Sequence, residues 1–182
     1  MRRLARGDED AFRALYHRRQ AAIYRFALQM CGSAEIAEDV TQEVFLTVIR
    51  DARSFHPEKG AVVSWLFGMA RNRVLQALDR DRRYLPLDEE DEDTGAAADN
   101  PLDDLTRGES LESLRQAVLA LPSRYREVVV LCDLEELSYE DAARALDCAV
   151  GTVRSRLHRG RELIARKLRT AARDLPRMRC AP

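Results

Sequence analysis

SYEDAARALDCAVGTVRSRL, residues 138–157, is the stretch that decides the fold of the C-terminal part of this chain. Ser138 is placed to cap a first short helix, whose inner face carries small apolar residues up to Leu146. Residues 147–151 then form a turn, in which Asp147 tolerates left-handed backbone angles. Thr152 is predicted to open a second helix. Two short helices joined by a tight turn are typical of a helix-turn-helix.

The second helix has an apolar stripe and a polar face. Its apolar positions run from Val153 to Ile164 at helical spacing and predict a buried stripe. The opposite face carries hydroxyl, imidazole and guanidinium groups, which donate hydrogen bonds to phosphates and to base edges. The candidate DNA contacts are Thr152, Arg154, Ser155, Arg156, His158 and Arg159. The alternative is an ordinary two-helix corner whose arginines are only solvated.

Charge is distributed unevenly along the 182 residues. The net charge is −1, yet residues 85–110 hold ten acidic side chains and one basic side chain, Arg107. That stretch therefore has a net charge of −9, and the rest of the chain has a net charge of +8. A basic balance in the folded parts favours a polyanionic partner.

Several function classes find no support in the sequence. No segment has the eighteen or so continuous apolar residues that a membrane helix needs, and the basic N-terminus lacks the apolar core of a signal peptide. We therefore expect a cytoplasmic protein without membrane insertion. The four cysteines show no metal-ligand spacing, the three histidines stand far apart, and the glycines occur singly. We expect no cofactor, no metal site, no catalytic residues and no enzymatic activity.

Composition divides the chain into three parts and predicts an all-α fold of two small helical domains. The predicted N-terminal domain is 1–84, the acidic stretch 85–110 is a flexible linker, and the C-terminal domain is 111–182. The middle part is acidic and poor in large apolar residues, so it cannot bury enough surface to fold alone. As a spacer, such a linker keeps the two basic domains apart and soluble.

Three helical patterns fill the first domain. Apolar residues from Phe12 to Met30 form one face of a long helix, which Gly32 ends. Ser33 caps a second helix with an apolar repeat of three or four residues. A third helix follows from about Ala61, and its first half, AVVSWLFGMA, is apolar nearly all round. This predicts that it lies buried between the other two, with Trp65 in the core.

Taken together, these features resemble an extracytoplasmic-function sigma factor of bacterial RNA polymerase, in the sigma-70 superfamily. The resemblance rests on three motifs in the family's order: AEDVTQEVFLTVI, WLFGMARNRV and GTVRSRLHRGRELI. It covers roughly residues 8–170. It implies two helical domains, core RNA polymerase and promoter DNA as partners, and an anti-sigma factor that controls the protein.

The resemblance also assigns roles to residues. It implies that the second N-terminal helix grips the polymerase through Asp39, Gln42, Glu43 and Phe45, with Phe45 as an exposed apolar anchor. Without the resemblance, the alternative is a solvated acidic face with Phe45 turned into the core. The third helix and the loop before it correspond to the part that opens the minus-ten element, with the candidates Phe55, His56, Lys59, Arg71, Asn72, Arg73 and Arg80. The helix-turn-helix is implied to bind the minus-thirty-five element. The acidic linker is implied to pass near the RNA exit path of the polymerase, where it acts either as a nucleic-acid mimic or only as a spacer.

The function implied is promoter recognition and melting in transcription initiation. Two other classes stay open from the residues alone. One is a conventional helix-turn-helix regulator, whose first domain senses a ligand or dimerises. The other is an enzyme hidden in the helical first domain.

Overall fold

Seven α-helices make up the described part of the chain, which in this computed structural model is residues 1–84 and 106–174. No strand occurs in these two ranges, and the all-α prediction is confirmed. The helices are α1 (Glu9–Cys31), α2 (Ala34–Asp51), α3 (Val62–Tyr84), α4 (Thr106–Leu119), α5 (Ser123–Val129), α6 (Tyr139–Leu146) and α7 (Val150–Asp174). One π-helical turn, Val130–Leu134, follows α5.

Side-chain caps and a glycine set the ends of the first helices. The Asp8 carboxylate accepts the Ala11 N–H at 2.9 Å and begins α1. Gly32 adopts a left-handed φ of +74° and ends it. The Ser33 hydroxyl then accepts the Ile36 N–H at 3.3 Å, so the predicted cap of α2 is confirmed.

The core of α1, α2 and α3 is built from the apolar faces that their periodicity predicts. Phe26 of α1 and Phe67 of α3 are 0% and 2% exposed, with ring centroids 5.3 Å apart in an edge-to-face arrangement. Such aromatic pairs add stability beyond the area they bury. Met30, Val44 and Val74 are also fully buried. The three helices therefore share one continuous core.

The second bundle contains the predicted helix-turn-helix as α6 and α7. The Ser138 hydroxyl accepts the Asp141 N–H at 3.0 Å, and Asp147 adopts the predicted left-handed conformation, with φ +50° and ψ +52°. The turn is shorter than predicted, because α7 begins at Val150 rather than at Thr152. The Ala149 carbonyl already accepts the Thr152 N–H at 2.9 Å, which brings the preceding residues into the first helical turn.

In the sequence, Pro122 stops one helical pattern and Ser123 is predicted to cap the next helix, α5, but that predicted cap is wrong. Ser123 is the first residue of α5 and not its cap, because Pro122 occupies the cap position without a side-chain hydrogen bond. The Pro122 carbonyl instead accepts the N–H groups of Tyr125 and Arg126, at 2.9 and 3.0 Å. A backbone oxygen thus satisfies donors that a serine hydroxyl was expected to satisfy.

Helix α3 packs against both bundles. It contacts α1 and α2, and it also contacts α6. A Cβ atom added at Gly68 of α3 would lie 3.4 Å from the Ala145 carbonyl oxygen of α6, so the two backbones approach closely. This explains the apolar first half of α3, which we attributed to α1 and α2 alone.

Two further sequence predictions concern membrane insertion and the linker. In residues 1–84 and 106–174, no helix is long and apolar enough to cross a membrane. Most of the acidic stretch predicted as a linker, 85–110, lies outside the described residues. Helix α4 begins at Thr106, inside that predicted stretch.

Candidate nucleic-acid interfaces

A cleft of about 540 Å³ lies between the loop before α3, the first half of α3 and the end of α6. It gathers five of the seven minus-ten candidates: Phe55, His56, Lys59, Arg71 and Asn72. The His56, Lys59 and Asn72 side chains are exposed, whereas Phe55 is half-buried. An aromatic ring, a cation and an amide around one opening are the groups that hold an unstacked base and its phosphates.

Trp65 lines the same cleft. We predicted it in the core, but it is half-buried, and its ring centroid lies 5.5 Å from that of Phe55 at an interplanar angle of 56°. The ring therefore packs on the core with one part and borders the cleft with another. Two aromatic rings that line one cleft offer faces on which bases can stack.

The two remaining minus-ten candidates lie away from the cleft. Arg73 points to α2, where its guanidinium lies 3.6 Å from the Glu43 carboxylate, and both side chains are more than two-fifths exposed. Arg80 is exposed about two turns further along α3. Neither residue contributes to the wall of the cleft, so any contact from them to nucleic acid would be to a flanking phosphate.

Two arginines from different predicted sites converge on one buried carboxylate. Glu127 of α5 is 2% exposed, and it accepts a hydrogen bond from Arg71 Nε at 2.6 Å. Arg156 of α7 lies 3.5 Å from the other carboxylate oxygen. Buried charges of this kind need paired partners. Glu127 therefore neutralises one minus-ten candidate and one minus-thirty-five candidate.

The outer face of α7 presents the other helix-turn-helix candidates. Arg154, Ser155, His158 and Arg159 are exposed, and Thr152 is half-buried beside them. Arg154 lies over the Tyr139 ring at 5.8 Å. Glu162 pairs with Arg159 at 3.0 Å and with His158 at 3.3 Å, and the hydrogen bond from Arg159 is the main cause of its lowered pKa. This face has the cations and short donors that a major groove requires.

The exposed face of α2 differs from the prediction at one position. Asp39, Gln42 and Glu43 are exposed on it as expected. Phe45 is 3% exposed and packs edge-to-face on Tyr16 at 4.9 Å, so the prediction of an exposed Phe45 is wrong. Its position on the helix turns it toward α1, into the core.

Apolar side chains do lie on this face of α2, at neighbouring positions. Leu46 and Ile49 are 41% and 55% exposed, and they border a groove of about 500 Å³ between α1 and α2. Exposed Leu and Ile beside carboxylates form a surface that suits a partner helix with both apolar and basic residues.

Comparison with known proteins finds two matching family models. The family models "Sigma-70 region 2" and "Sigma-70, region 4" match residues 15–84 and 111–164. The ECF RNA polymerase sigma factor SigW of Bacillus subtilis is 31% identical over 178 residues, which cover 93% of this chain and 95% of that protein. The chain belongs to the ECF sigma factor family.

Other sigma factors of this family support the assignment. SigE of Mycolicibacterium smegmatis is 37% identical over 166 residues, which cover 87% of this chain but only 63% of that protein. Among solved structures, the sigma factor RpoE of Bartonella quintana, crystallised with the anti-sigma factor NepR, has a TM-score of 0.68 at 26% identity. That match covers 87% of this sigma factor and 97% of the other chain.

Sequence reasoning missed four residues of this sigma factor that its structure brings to the candidate surfaces: Trp65, Leu46, Ile49 and Glu127. A signal existed for Trp65, because an aromatic pair flanking a polar loop is typical of a base-stacking surface. The other three carried no distinguishing pattern. Whether an apolar helical residue is exposed depends on which helix packs over it. Whether an acidic residue forms an ion pair with the other bundle depends on which side chains the fold places beside it.

Proposed function

We propose that this chain directs transcription initiation by binding core RNA polymerase and by reading two elements of a promoter. The observation that carries the proposal is the cleft, which brings an aromatic pair together with the cationic and amide groups of the minus-ten candidates. An aromatic and cationic cleft lined mainly by the first bundle and an exposed recognition helix on the second match the two tasks of the family.

At the minus-ten element, the cleft would hold a base that has left the double helix. Phe55 and Trp65 supply the faces on which a base stacks, and Asn72 supplies an amide for its hydrogen-bonding edge. Lys59 is exposed and free to follow the phosphates of the separated strand. Capture of unstacked bases stabilises melted DNA without a covalent step. The chain therefore needs no catalytic residue for this task.

At the minus-thirty-five element, α7 would lie in the major groove. Of the three candidate arginines, Arg154 and Arg159 are the more accessible to DNA, since both are exposed on the outer face of α7. Arg156 is a weaker candidate, because it lies against Glu127 and is 31% exposed. We assign it a positioning role, in which it holds α7 on α5.

The exposed face of α2 is the proposed polymerase contact. Asp39, Gln42 and Glu43 supply charge and amide groups for a basic helix, and Leu46 and Ile49 supply the apolar contact that we had assigned to Phe45. Apolar anchors surrounded by polar groups are the usual composition of a protein interface.

Control by an anti-sigma factor is part of the proposal. RpoE of Bartonella quintana is described in complex with its anti-sigma factor NepR, and it shares 26% identity with this chain. A protein that works on core RNA polymerase and chromosomal DNA acts in the cytoplasm. We infer the same location for this chain.

Run-off transcription with core RNA polymerase on a promoter library tests the function directly. We expect transcripts that depend on both proteins and that share two sequence elements upstream of the start. Absence of any transcript, together with no binding to core polymerase in a pull-down, would refute the proposal.

The polymerase contact is tested by paired variants. Asp39→Lys with Leu46→Ala reverses the charge at position 39 and removes the apolar contact, and we expect loss of binding to core polymerase with an unchanged helical content. The matched control is Glu9→Lys, which makes the same charge change at an exposed position of α1. Equal binding by all three proteins would remove this face from the interface.

A further inference from the structure

A cluster of cations lies at the start of α1, beside the loop that precedes α3. Its members are Arg2, Arg6 and Arg53, and all three residues are exposed. Among the residues that the structure describes, none forms an ion pair with them. We call this cluster the N-terminal basic patch. It is separate from the proposed polymerase and promoter contacts.

The backbone under the first two cations is held in place. Leu4 is 7% exposed and packs in the core. A 3₁₀ turn, Leu4–Arg6, ends at Gly7, which adopts a left-handed φ of +84°. Arg3 Nε donates to the Asp8 carboxylate at 2.7 Å, which ties the turn to the cap of α1. Cations on a fixed backbone lose less conformational freedom when they bind a ligand.

Arg53 connects the patch to the cleft. Its Nε donates to the Ala5 carbonyl oxygen at 3.4 Å, and the N-terminal turn packs on a second 3₁₀ turn, Ala52–Ser54. Ser54 and Phe55 follow Arg53 directly and line the cleft. The terminal amino groups of a guanidinium donate independently of Nε. The patch therefore continues the rim of the cleft on the side of Phe55.

Nearby carboxylates do not neutralise the patch. Asp8 already pairs with Arg3, and Asp10 forms a local ion pair within α1. Glu9 and Asp51 are exposed, but neither forms an ion pair with a cation of the patch. Unpaired exposed arginines attract an anionic ligand, and the planar fork of their donors matches phosphate. The ligand chemistry that the patch indicates is therefore phosphate.

We propose that the N-terminal basic patch binds backbone phosphates of the separated promoter strand, next to the bases held in the minus-ten cleft. The inference rests on the proposed function, since it takes the cleft as the site for unstacked bases. Aromatic faces beside a row of cations hold single-stranded nucleic acid without reading its sequence. Such contacts add affinity and fix the path of the strand, but they do not select bases.

The test compares probes of two lengths on the complex of this chain with core polymerase. One labelled single-stranded oligonucleotide carries the minus-ten sequence alone, and two others extend it, one at each end, by about six nucleotides, which is roughly 20 Å of strand. The variant is Arg2→Gln with Arg6→Gln, which removes two charges from exposed positions. The matched control, Arg166→Gln with Arg169→Gln, removes the same charge from exposed positions near the end of α7.

Salt dependence gives the expected size of the effect. Each phosphate contact on a single strand contributes about 0.7 to the slope of log affinity against log salt concentration. Loss of two contacts therefore lowers the slope by about 1.4, so that between about 50 and 200 mM salt the variant loses about sevenfold less affinity than wild type. We expect this difference on one extended probe and no difference on the short probe. The control variant should match wild type on all three probes.

Equal slopes for wild type and the variant of Arg2 and Arg6 on both extended probes would overturn the inference. An equal decrease in the control variant would overturn it too, because the effect would then come from net charge and not from a site. A pull-down with core polymerase accompanies each titration, and weaker polymerase binding by the variant would make the patch a polymerase contact instead. Failure of the wild-type complex to bind the short probe would refute the assignment of the cleft, which is a separate result from any difference between variants.

Discussion

Trp65 offers the sharpest test of how the cleft works. Its ring is half-buried and tilted by 56° to that of Phe55, so part of its surface borders the cleft and is available to a base. Loss of one base–aromatic stack costs about 1–3 kcal/mol, which corresponds to roughly 5- to 150-fold in affinity at 25 °C. Because Phe55 remains, we expect the lower half of that range for Trp65→Leu.

The assay is anisotropy of a labelled single-stranded oligonucleotide that carries a minus-ten sequence from the promoter library, titrated with the complex of this chain and core polymerase. Trp65→Phe keeps an aromatic face and is expected to lose less than about fivefold. Binding of a minus-thirty-five duplex and the thermal unfolding of each variant serve as controls. Equal oligonucleotide affinity for wild type, Trp65→Phe and Trp65→Leu would refute stacking on Trp65.

Three further predictions concern other residues. Arg159→Ala is expected to weaken binding to a minus-thirty-five duplex by about 1–3 kcal/mol at particular base pairs; an equal loss on every duplex would make Arg159 a phosphate contact instead. Burial raises the pKa of Glu135 above its ordinary 4.5, more than the hydrogen bonds from Arg25 lower it. Ionisation of Glu135 therefore destabilises the folded chain as pH rises from the unfolded-state pKa through the higher folded-state pKa. The Glu135→Gln side chain does not ionise, so the free energy of unfolding of this variant minus that of wild type should increase from pH 4.5 to neutral pH in urea titrations. A decrease would contradict this sign. Burial also raises the pKa of the Cys132 thiol from 9.0 to about 11, so it carries about a hundredfold less thiolate at neutral pH than an ordinary cysteine. Peptide mapping after maleimide treatment should find it slow to react, and rapid labelling at neutral pH would show that the thiol is not protected.

The helices and their caps were predictable because the signals for them are local. The hydroxyls of Ser33 and Ser138 reach N–H groups only three residues ahead. Gly32 takes a left-handed angle because it has no Cβ atom, and Asp147 takes one because aspartate tolerates that conformation. Periodicity then assigns the apolar faces, since a helix buries one side whichever helix it meets. The helix-turn-helix and most of its exposed face follow from such signals.

Tertiary packing alone decided which side chains border the candidate sites. Phe45 and Leu46 are neighbours in sequence, yet one is buried against Tyr16 and the other is exposed, because α1 covers only one side of α2. Trp65 lies in an apolar segment that α1, α2 and α6 do not fully cover. Exposure of an apolar residue is a property of its neighbours.

The sequence by itself determined two helical bundles, a helix-turn-helix with a cationic face, and the family to which they belong. Only the tertiary structure decided that the bundles pack together, with Glu127 between Arg71 and Arg156 and with α6 across the cleft. The physical reason is the range of the interactions. Capping and periodicity act within a few residues, whereas these ion pairs join residues that are 29 and 56 positions apart.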